Sequence, residues 1–249
     1  IGWEAEQYIP FDIKDVYIDF QILGPDPFDP AKIQVLLVAS KKDIINDYRA
    51  LFAEAGLQLA VMDVDSFAVQ NACELNAGPV DEVCALINVG AGVMNINVVR
   101  GETSLFTRDV QMGGNQYTEE IQKQLGVGYQ EAETMKLLAD DQQQTGPLYE
   151  VINRVNDSLA LEIRRSIDFY NSTATGEERI SRVSMSGGCS KMAGLKEAVD
   201  AKLGMEVDSL NPFARIKVND KEFDPEYLQE IAPLMAVGVG LAIRRVGDK

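Results

Sequence analysis

The stretch that decides the fold is residues 83–114, which read VCALINVGAGVMNINVVRGETSLFTRDVQMGG. An apolar run at 83–89 ends in the turn Gly90-Ala91-Gly92, and a run with period-two alternation follows it. A second turn at 100–102 leads into a third run at 103–110. Alternating runs bounded by glycine turns predict a β-meander of three antiparallel strands.

The first turn of this meander carries a Gly-x-Gly pattern at Gly90 and Gly92. Glycine allows backbone N–H groups to approach a phosphate with no Cβ in the way. A single Gly-x-Gly is more often an ordinary glycine hairpin, and that alternative stays open at this point. Gly113 and Gly114 follow the third strand and open a polar helix start.

A second glycine site lies downstream at residues 182–195, which read RVSMSGGCSKMAGL. A short apolar strand ends in Ser186-Gly187-Gly188, and a helix is predicted to begin near Ser190. A strand followed by two glycines and a helix N-terminus is a place where a nucleotide can lie against exposed backbone N–H groups.

The two glycine sites and a closing helix predicted at 232–244 resemble the actin-like ATPase superfamily, which includes actin, Hsp70 and FtsA. More closely, the chain resembles the PilM family of type IV pilus assembly proteins in residues 4–11, 111–122 and 131–133. This resemblance implies an α/β, actin-like (RNase H-like) fold with two lobes and an FtsA-like subdomain arrangement. The family has a first phosphate hairpin upstream of this region. We find no such segment in the sequence, so we expect an incomplete first lobe.

The resemblance also implies a division of the chain. Residues 1–64 correspond to most of a 1C-type interaction subdomain, 65–80 to a connecting helix of the first lobe, and 81–249 to the second lobe (2A/2B) with its closing helix. PilM proteins bind the cytoplasmic N-terminal tail of the membrane protein PilN through the first of these, so region 1–60 is the expected partner-binding region. A packing subdomain with no ligand fits the sequence about equally well.

ATP and Mg²⁺ are the ligands that the resemblance implies. It assigns nucleotide contacts to Asn88, Gly90, Ala91, Gly92, Gly113, Gly114, Glu133, Lys136, Gly187, Gly188 and Cys189. Glu133 and Lys136 are three residues apart on one helix face and would lie near the ribose and adenine. The alternative for them is a surface ion pair worth about 0.3–0.5 kcal/mol.

Asn88 departs from the family pattern, because the family usually has Asp at this position, where it holds a water of the Mg²⁺ shell. An amide accepts a hydrogen bond from such a water but contributes no charge. We therefore expect indirect, weak Mg²⁺ binding through Asn88 and weak or absent ATP hydrolysis. Asp65 matches the family's water-orienting catalytic carboxylate, and an N-cap role for Asp65 or Ser66 is the more common alternative.

Composition excludes several classes of function. A net charge of −16 argues against nucleic-acid binding, which needs clustered Lys and Arg. The sequence has no histidine, which excludes Ser-His-Asp and Cys-His hydrolases and His-ligated zinc sites. The three cysteines, Cys73, Cys84 and Cys189, show no metal-binding spacing and suit a reducing cytoplasm. With no apolar run near the ~18 residues that span a bilayer, we expect a cytoplasmic protein that reaches the inner membrane only through PilN and other pilus components.

The remaining segments give further expectations. The pattern predicts strands at 16–23, 33–39, 57–64 and 205–209, loops at 24–30 and 140–146, the end of a helix at 1–11, a charged connection at 222–229, and helices at 41–55, 65–76, 117–125, 129–138, 148–170, 191–203 and 231–244. One stripe of the longest helix is expected in the core: Leu148, Val151, Ile152, Val155, Leu159, Ile163, Ile167 and Tyr170.

Two other functions remain as alternatives. An FtsA-like cell-division protein would end in an amphipathic membrane helix, and no apolar face follows Arg245 in this sequence. A sugar kinase of the same superfamily would need an acidic base in a sugar pocket and efficient use of Mg²⁺-ATP. Both Asn88 and region 1–60 argue against the kinase.

Overall fold

In a computed structural model of the chain, the structure describes residues 6–26, 29–78, 81–139, 145–174, 176–219 and 221–248. Two compact units make up the chain: residues 1–62 together with 244–249, and residues 63–243. The assignment of 1–64, 65–80 and 81–249 to family subdomains stays a prediction. Most of the loop predicted at 140–146 lies outside the described residues.

The first unit contains an antiparallel hairpin of β1 (Val16–Pro25) and β2 (Ile33–Lys41), followed by helix α1 (Lys42–Glu54). Its small core is formed by Ile9 and Val16, with Ile18 and Leu37 packed against them. No residue of α1 is buried. The unit is therefore lightly packed and presents much of its apolar surface to solvent.

Two expectations for the first unit differ from the structure. The third strand predicted at 57–64 is wrong, because these residues form neither strand nor helix and the sheet has two strands. Their alternation fits a strand, but a strand forms only where a neighbour offers N–H and C=O groups. The helix end predicted at 1–11 begins outside the described residues, and residues 6–8 form a turn.

A five-stranded sheet organises the second unit. Its strands are β3 (Cys84–Val89), β4 (Met94–Arg100), β5 (Thr103–Val110), β6 (Arg182–Ser186) and β7 (Val207–Ser209). They lie in the order β5-β4-β3-β6-β7. The antiparallel pairing of β3, β4 and β5 confirms the predicted meander, and β6 and β7 extend the sheet in parallel. Every residue of the central strand β3 is buried.

Helices cover both faces of this sheet. The helices of this unit are α2 (Asp65–Ala77), α3 (Gly114–Leu125), α4 (Tyr129–Leu137), α5 (Pro147–Thr173), α6 (Leu195–Leu203), α7 (Pro225–Ile231) and α8 (Ala236–Ala242). The larger core lies between the sheet and α3, α5 and α6. A smaller core on the opposite face joins the sheet to α2 and α8. The predicted stripe of α5 is confirmed, since all of its residues are buried except Leu148, which is partly buried.

The helix after the second glycine site begins later than predicted. It was expected at Lys191 but begins at Leu195, after a 3-10 turn at Gly188–Lys191. Gly194 separates the two with a φ of +73°, a conformation that ends regular helix and favours glycine. The helix predicted at 117–125 begins earlier, at Gly114.

The C-terminal region also differs from the prediction. The charged connection at 222–229 contains α7, which has Pro225 in its first turn and an N-cap at Asp224, whose side chain accepts from the N–H of Glu226 at 2.9 Å. The closing helix predicted at 231–244 is divided into a 3-10 turn at Ala232–Met235 and α8. Pro233 has no N–H to donate, which disfavours a continuous α-helix there.

Candidate functional site

The loop between β3 and β4 carries free backbone donors. The N–H of Gly90 donates to the carbonyl of Val93 at 3.0 Å and closes the turn. Ala91 and Gly92 are exposed, and within the described ranges neither of their N–H groups has an acceptor. Exposed N–H groups at a glycine turn form the kind of concavity that binds an anion such as phosphate.

The N-terminus of α3 supports this loop. The N–H groups of Gly114 and Asn115 donate to the carbonyls of Gly90 and Ala91 at 3.0 and 2.7 Å. A Cβ added at Gly113 would lie 2.4 Å from the Gly90 carbonyl oxygen, so the close approach requires glycine. The structure thus brings Gly113 and Gly114 to the hairpin, and the N–H of Gly114 is used to hold the loop.

A buried cation joins α4 to the start of α3. The Lys136 ammonium forms a 2.7 Å ion pair with Glu133, donates to the Thr118 hydroxyl at 3.0 Å and reaches the Gly114 carbonyl at 3.4 Å. The Glu133 carboxylate also accepts a hydrogen bond from the Thr118 hydroxyl. The hydrogen bonds that Glu133 accepts, from Lys136 first and from Thr118 second, lower its pKa below the ordinary value. Only 9% of the Lys136 side chain is exposed, so the alternative of a surface ion pair is wrong for this residue.

The second glycine site packs against the end of β3. A Cβ at Gly187 would lie 2.3 Å from the Val89 carbonyl oxygen, and its φ of +90° also favours glycine. Its N–H donates to the carbonyl of Pro233 at 2.8 Å, and a Cβ at the next residue, Gly188, would lie 3.8 Å from the Leu234 side chain. The carboxyl ends of the parallel strands β3 and β6 therefore meet beside the hairpin, the edge where ligands bind in many α/β folds.

Cys189 is a buried thiol next to Gly114. A Cβ at Gly114 would lie 3.8 Å from the Cys189 Cβ. Burial raises the pKa of the Cys189 thiol to about 12 and also raises the pKa of Tyr117, whose hydroxyl donates to Asn156 at 2.5 Å. Cys189 therefore packs as a neutral thiol and is not a candidate nucleophile.

Asn88 belongs to a row of polar side chains that crosses four strands, which we call the polar row: Asp109, Asn95, Asn88 and Ser186. Neighbours in this row are register partners in the sheet. Asn95 donates to Asp109 at 2.8 Å, Asn88 donates to Asn95 at 3.1 Å, and Ser186 donates to the Asn88 side-chain oxygen at 3.3 Å. Both polar ends of the Asn88 amide are thus engaged.

Asp65 lies at the exposed first residue of α2. The N-cap of this helix is Val64, without a side-chain hydrogen bond, so the N-cap alternative for Asp65 or Ser66 is wrong. The cause is a helix that begins one residue earlier than its polar residues suggest. In the described part of the chain, no hydrogen bond or ion pair joins Asp65 to Gly90, Gly92, Gly113 or Gly187, which we call the glycine cluster.

The comparisons with known proteins identify the family. A family model described as type IV pilus assembly protein PilM matches residues 1–246. The chain belongs to the PilM family. A PilM-PilN type IV pilus biogenesis complex is 30% identical in sequence, with a TM-score of 0.85, and the match covers 99% of this chain and 71% of that one.

Two other solved structures share the fold of this PilM-family chain. The ethanolamine utilization protein EutJ from Carboxydothermus hydrogenoformans is 22% identical, with a TM-score of 0.57 over 78% of this chain and 59% of that one. MreB 5 of Spiroplasma citri bound to AMPPNP is 11% identical, with a TM-score of 0.57 over 82% and 64%. These similarities confirm the actin-like ATPase α/β fold.

Sequence reasoning missed three residues of the site of this PilM-family chain: Asn95, Asp109 and Thr118. The alternation of β4 places Asn95 and Asn97 on one face, but only the strand register shows that Asn95 lies beside Asn88. Thr118 lies one turn into α3 and meets Glu133 through tertiary packing. No local sequence pattern predicts either contact.

Neither a membrane span nor a metal cluster is found among the residues that the structure describes. No helix there is long and apolar enough to cross a bilayer. No group of three or more His, Cys, Asp or Glu side chains converges as a metal site there. The polar row offers the amide oxygen of Asn88 and, two strands away, the carboxylate of Asp109.

Proposed function

We propose that this PilM-family protein is an actin-like, nucleotide-binding scaffold of type IV pilus assembly with weak or no ATP hydrolysis. The observation that carries the proposal is the convergence of Gly113 and Gly187 on the end of β3. A Cβ added at Gly113 would lie 2.4 Å from the Gly90 carbonyl oxygen, and one at Gly187 would lie 2.3 Å from that of Val89, so only glycine fits at these two positions. They fix a loop whose outward N–H groups, at Ala91 and Gly92, are free for a phosphate.

These residues fit a nucleotide better than they fit a tightly held metal. The free N–H groups of Ala91 and Gly92 favour a polyphosphate. Lys136, which is buried and paired with Glu133, supports the start of α3 next to them through the Gly114 carbonyl. Asn88 can accept a hydrogen bond from a water of a hydrated Mg²⁺ but supplies no charge to hold the ion. MreB 5, which shares the fold, is bound to AMPPNP in its solved structure. When bound, Mg²⁺-ATP would supply a charged group whose presence sets the conformation of the site.

Weak turnover follows from the same geometry. Phosphoryl transfer depends on charge neutralisation and on a positioned water. Asn88 replaces a carboxylate, and Asp65, the expected catalytic residue, has no described contact with the glycine cluster. A protein that binds ATP without turning it over efficiently can still use the ligand to select a conformation.

The expected partner is the cytoplasmic N-terminal tail of PilN. The 0.85 TM-score to a chain of a PilM-PilN complex supports this partner, and region 1–60 is the expected docking region. In that region, helix α1 exposes Ile44, Tyr48 and Leu51, which are spaced by four and three residues and so form an apolar stripe. Docking to PilN would hold the protein in the cytoplasm at the inner membrane, beside other pilus components.

A charge placed in the hairpin tests the nucleotide site. A Cβ at Gly92 meets only the Asn115 side chain, at 3.7 Å, so Gly92→Asp fits the loop while opposing a phosphate. Gly128→Asp adds the same charge in open space and is the matched control. By calorimetric titration with Mg²⁺-ATP, we expect Gly92→Asp to weaken binding at least about tenfold and Gly128→Asp to bind like wild type. Equal binding by both variants, or no binding by wild type, would contradict the proposal.

A further inference from the structure

We propose that Asp109, acting through Asn95, is a positioning residue that leaves the oxygen of the Asn88 amide, and not its NH₂ group, available at the proposed nucleotide site. This inference rests on the proposed function for its ligand but not for its geometry. The distances along the polar row are 2.8 Å from Asn95 to Asp109 and 3.1 Å from Asn88 to Asn95. Each pair joins residues directly opposite each other on neighbouring strands.

The order of donors and acceptors along the polar row is set by Asp109, its first member. An ionised carboxylate only accepts hydrogen bonds, so Asn95 must turn its NH₂ group toward Asp109. The Asn95 oxygen then faces Asn88, which in turn must donate its own NH₂ group. What remains of the Asn88 amide is the oxygen, which accepts from the Ser186 hydroxyl at 3.3 Å and keeps a second lone pair.

Because Asn88 and Asn95 are buried, their amides cannot reverse without cost, whereas the exposed Asp109 can be substituted. Asn88, Asn95 and Ser186 are 9%, 7% and 1% exposed, so a reversed amide would leave unpaired polar atoms away from water. Asp109 is exposed, and its carboxylate can be replaced without disturbing the core. A surface carboxylate therefore sets the polarity of a buried amide two strands away.

The consequence is a preference for the kind of group that Asn88 can meet. An oxygen acceptor attracts a donor, such as a water bound to a divalent cation, and repels a phosphate oxygen, which only accepts. The polar row therefore favours a hydrated metal–nucleotide over the free nucleotide. With Asn at position 109 the row is complete in either direction, because Asn can accept or donate, and this preference should fall.

A double-mutant cycle in the ligand-free, complete protein tests the row directly. Asn88→Asp alone forces the Asn95 oxygen toward Asp109 and should lower the urea midpoint of unfolding. Asp109→Asn alone should change it little. The double variant restores a complete, reversed row and should recover most of the loss. Asp109→Ala removes the same charge but donates nothing, so with Asn88→Asp it should recover less.

Additive effects would mean that positions 88 and 109 are not coupled, and equal recovery by Asp109→Asn and Asp109→Ala would mean that only charge couples them. Either result would overturn the proposal. The second readout is the ratio of ATP dissociation constants without and with Mg²⁺. We expect Asp109→Asn to reduce this ratio about threefold to tenfold, the effect of one hydrogen bond. An unchanged ratio overturns the positioning role. Failure of wild type to bind ATP at all overturns the proposed function, and the unfolding cycle then decides the polar row by itself.

Discussion

At the scale of single residues, the Lys136–Glu133 pair has a structural role that its spacing alone does not indicate. Lys136 joins α4 to the start of α3, which in turn holds the glycine hairpin. The pair is therefore part of the support of the candidate site. The three-residue spacing on a helix predicts only an ion pair. Its burial and the contact with Thr118 are what make the Lys136–Glu133 pair important for stability.

Replacing Lys136 with Met tests this role. The variant keeps approximately the length of the buried side chain but removes the partner of Glu133 and the ammonium that donates to the Gly114 carbonyl. We expect the free energy of unfolding at pH 7 to fall by about 1–3 kcal/mol in urea titrations. Adding Glu133→Gln should recover part of the loss, because no unpaired carboxylate remains.

The effect should depend on pH in a defined direction. The folded-state pKa of Glu133 lies below its ordinary value of 4.5, so its contribution to stability is present above that value. It is lost as the pH falls through the lower, folded-state pKa. The difference between wild type and Lys136→Met should therefore narrow as the pH is lowered from 7 through 4.5 and below. A difference that stays constant or grows would show that the pair does not act through ionised Glu133.

At the scale of elements, the packing of α8 on α2 depends on one glycine. The small residues of the closing helix allow a close approach, and α8 makes one to α2. A Cβ at Gly240 would lie 1.7 Å from the Ala68 carbonyl oxygen. Since α2 also contacts β4, where the Asn97 side chain donates to the Ser66 carbonyl at 3.3 Å, this packing holds the smaller core together.

Alanine at two glycines of α8 should have opposite effects. Gly240→Ala forces the helices apart and should destabilise the protein by about 1–3 kcal/mol in thermal or urea unfolding. Gly238→Ala meets only the flexible end of Met235, at 3.5 Å, and should stabilise α8 by about 0.5–1 kcal/mol. Equal effects of the two substitutions would mean that α8 and α2 do not approach each other as closely as described.

At the scale of the whole molecule, the sequence predicted what is encoded locally. The meander at 83–110 and the core stripe of α5 follow from alternation and from helical periodicity, and both are confirmed. The strand predicted at 57–64 failed because alternation indicates a strand but cannot supply its neighbour. Helix α7 was missed although the sequence carries its signal, an Asp-Pro pair at its start.

The candidate site divides in the same way. The glycines at 90–92, 113–114 and 187–188 could be predicted because glycine marks close backbone approach in the sequence itself. The polar row could not, because it depends on a strand register that places Asn88 beside Asn95 and Asn95 beside Asp109. Family membership is likewise a property of nearly the whole chain, with residues 1–246 matched, and no single motif carries it.

The measurement that tests the central proposal most directly is a calorimetric titration of the complete protein with a synthetic PilN cytoplasmic tail. A C-terminal tail of the cell-division protein FtsZ serves as the control peptide. We predict saturable binding of the PilN peptide and no binding of the FtsZ peptide. Binding of the FtsZ peptide alone, or of neither peptide, would contradict a docking role in pilus assembly.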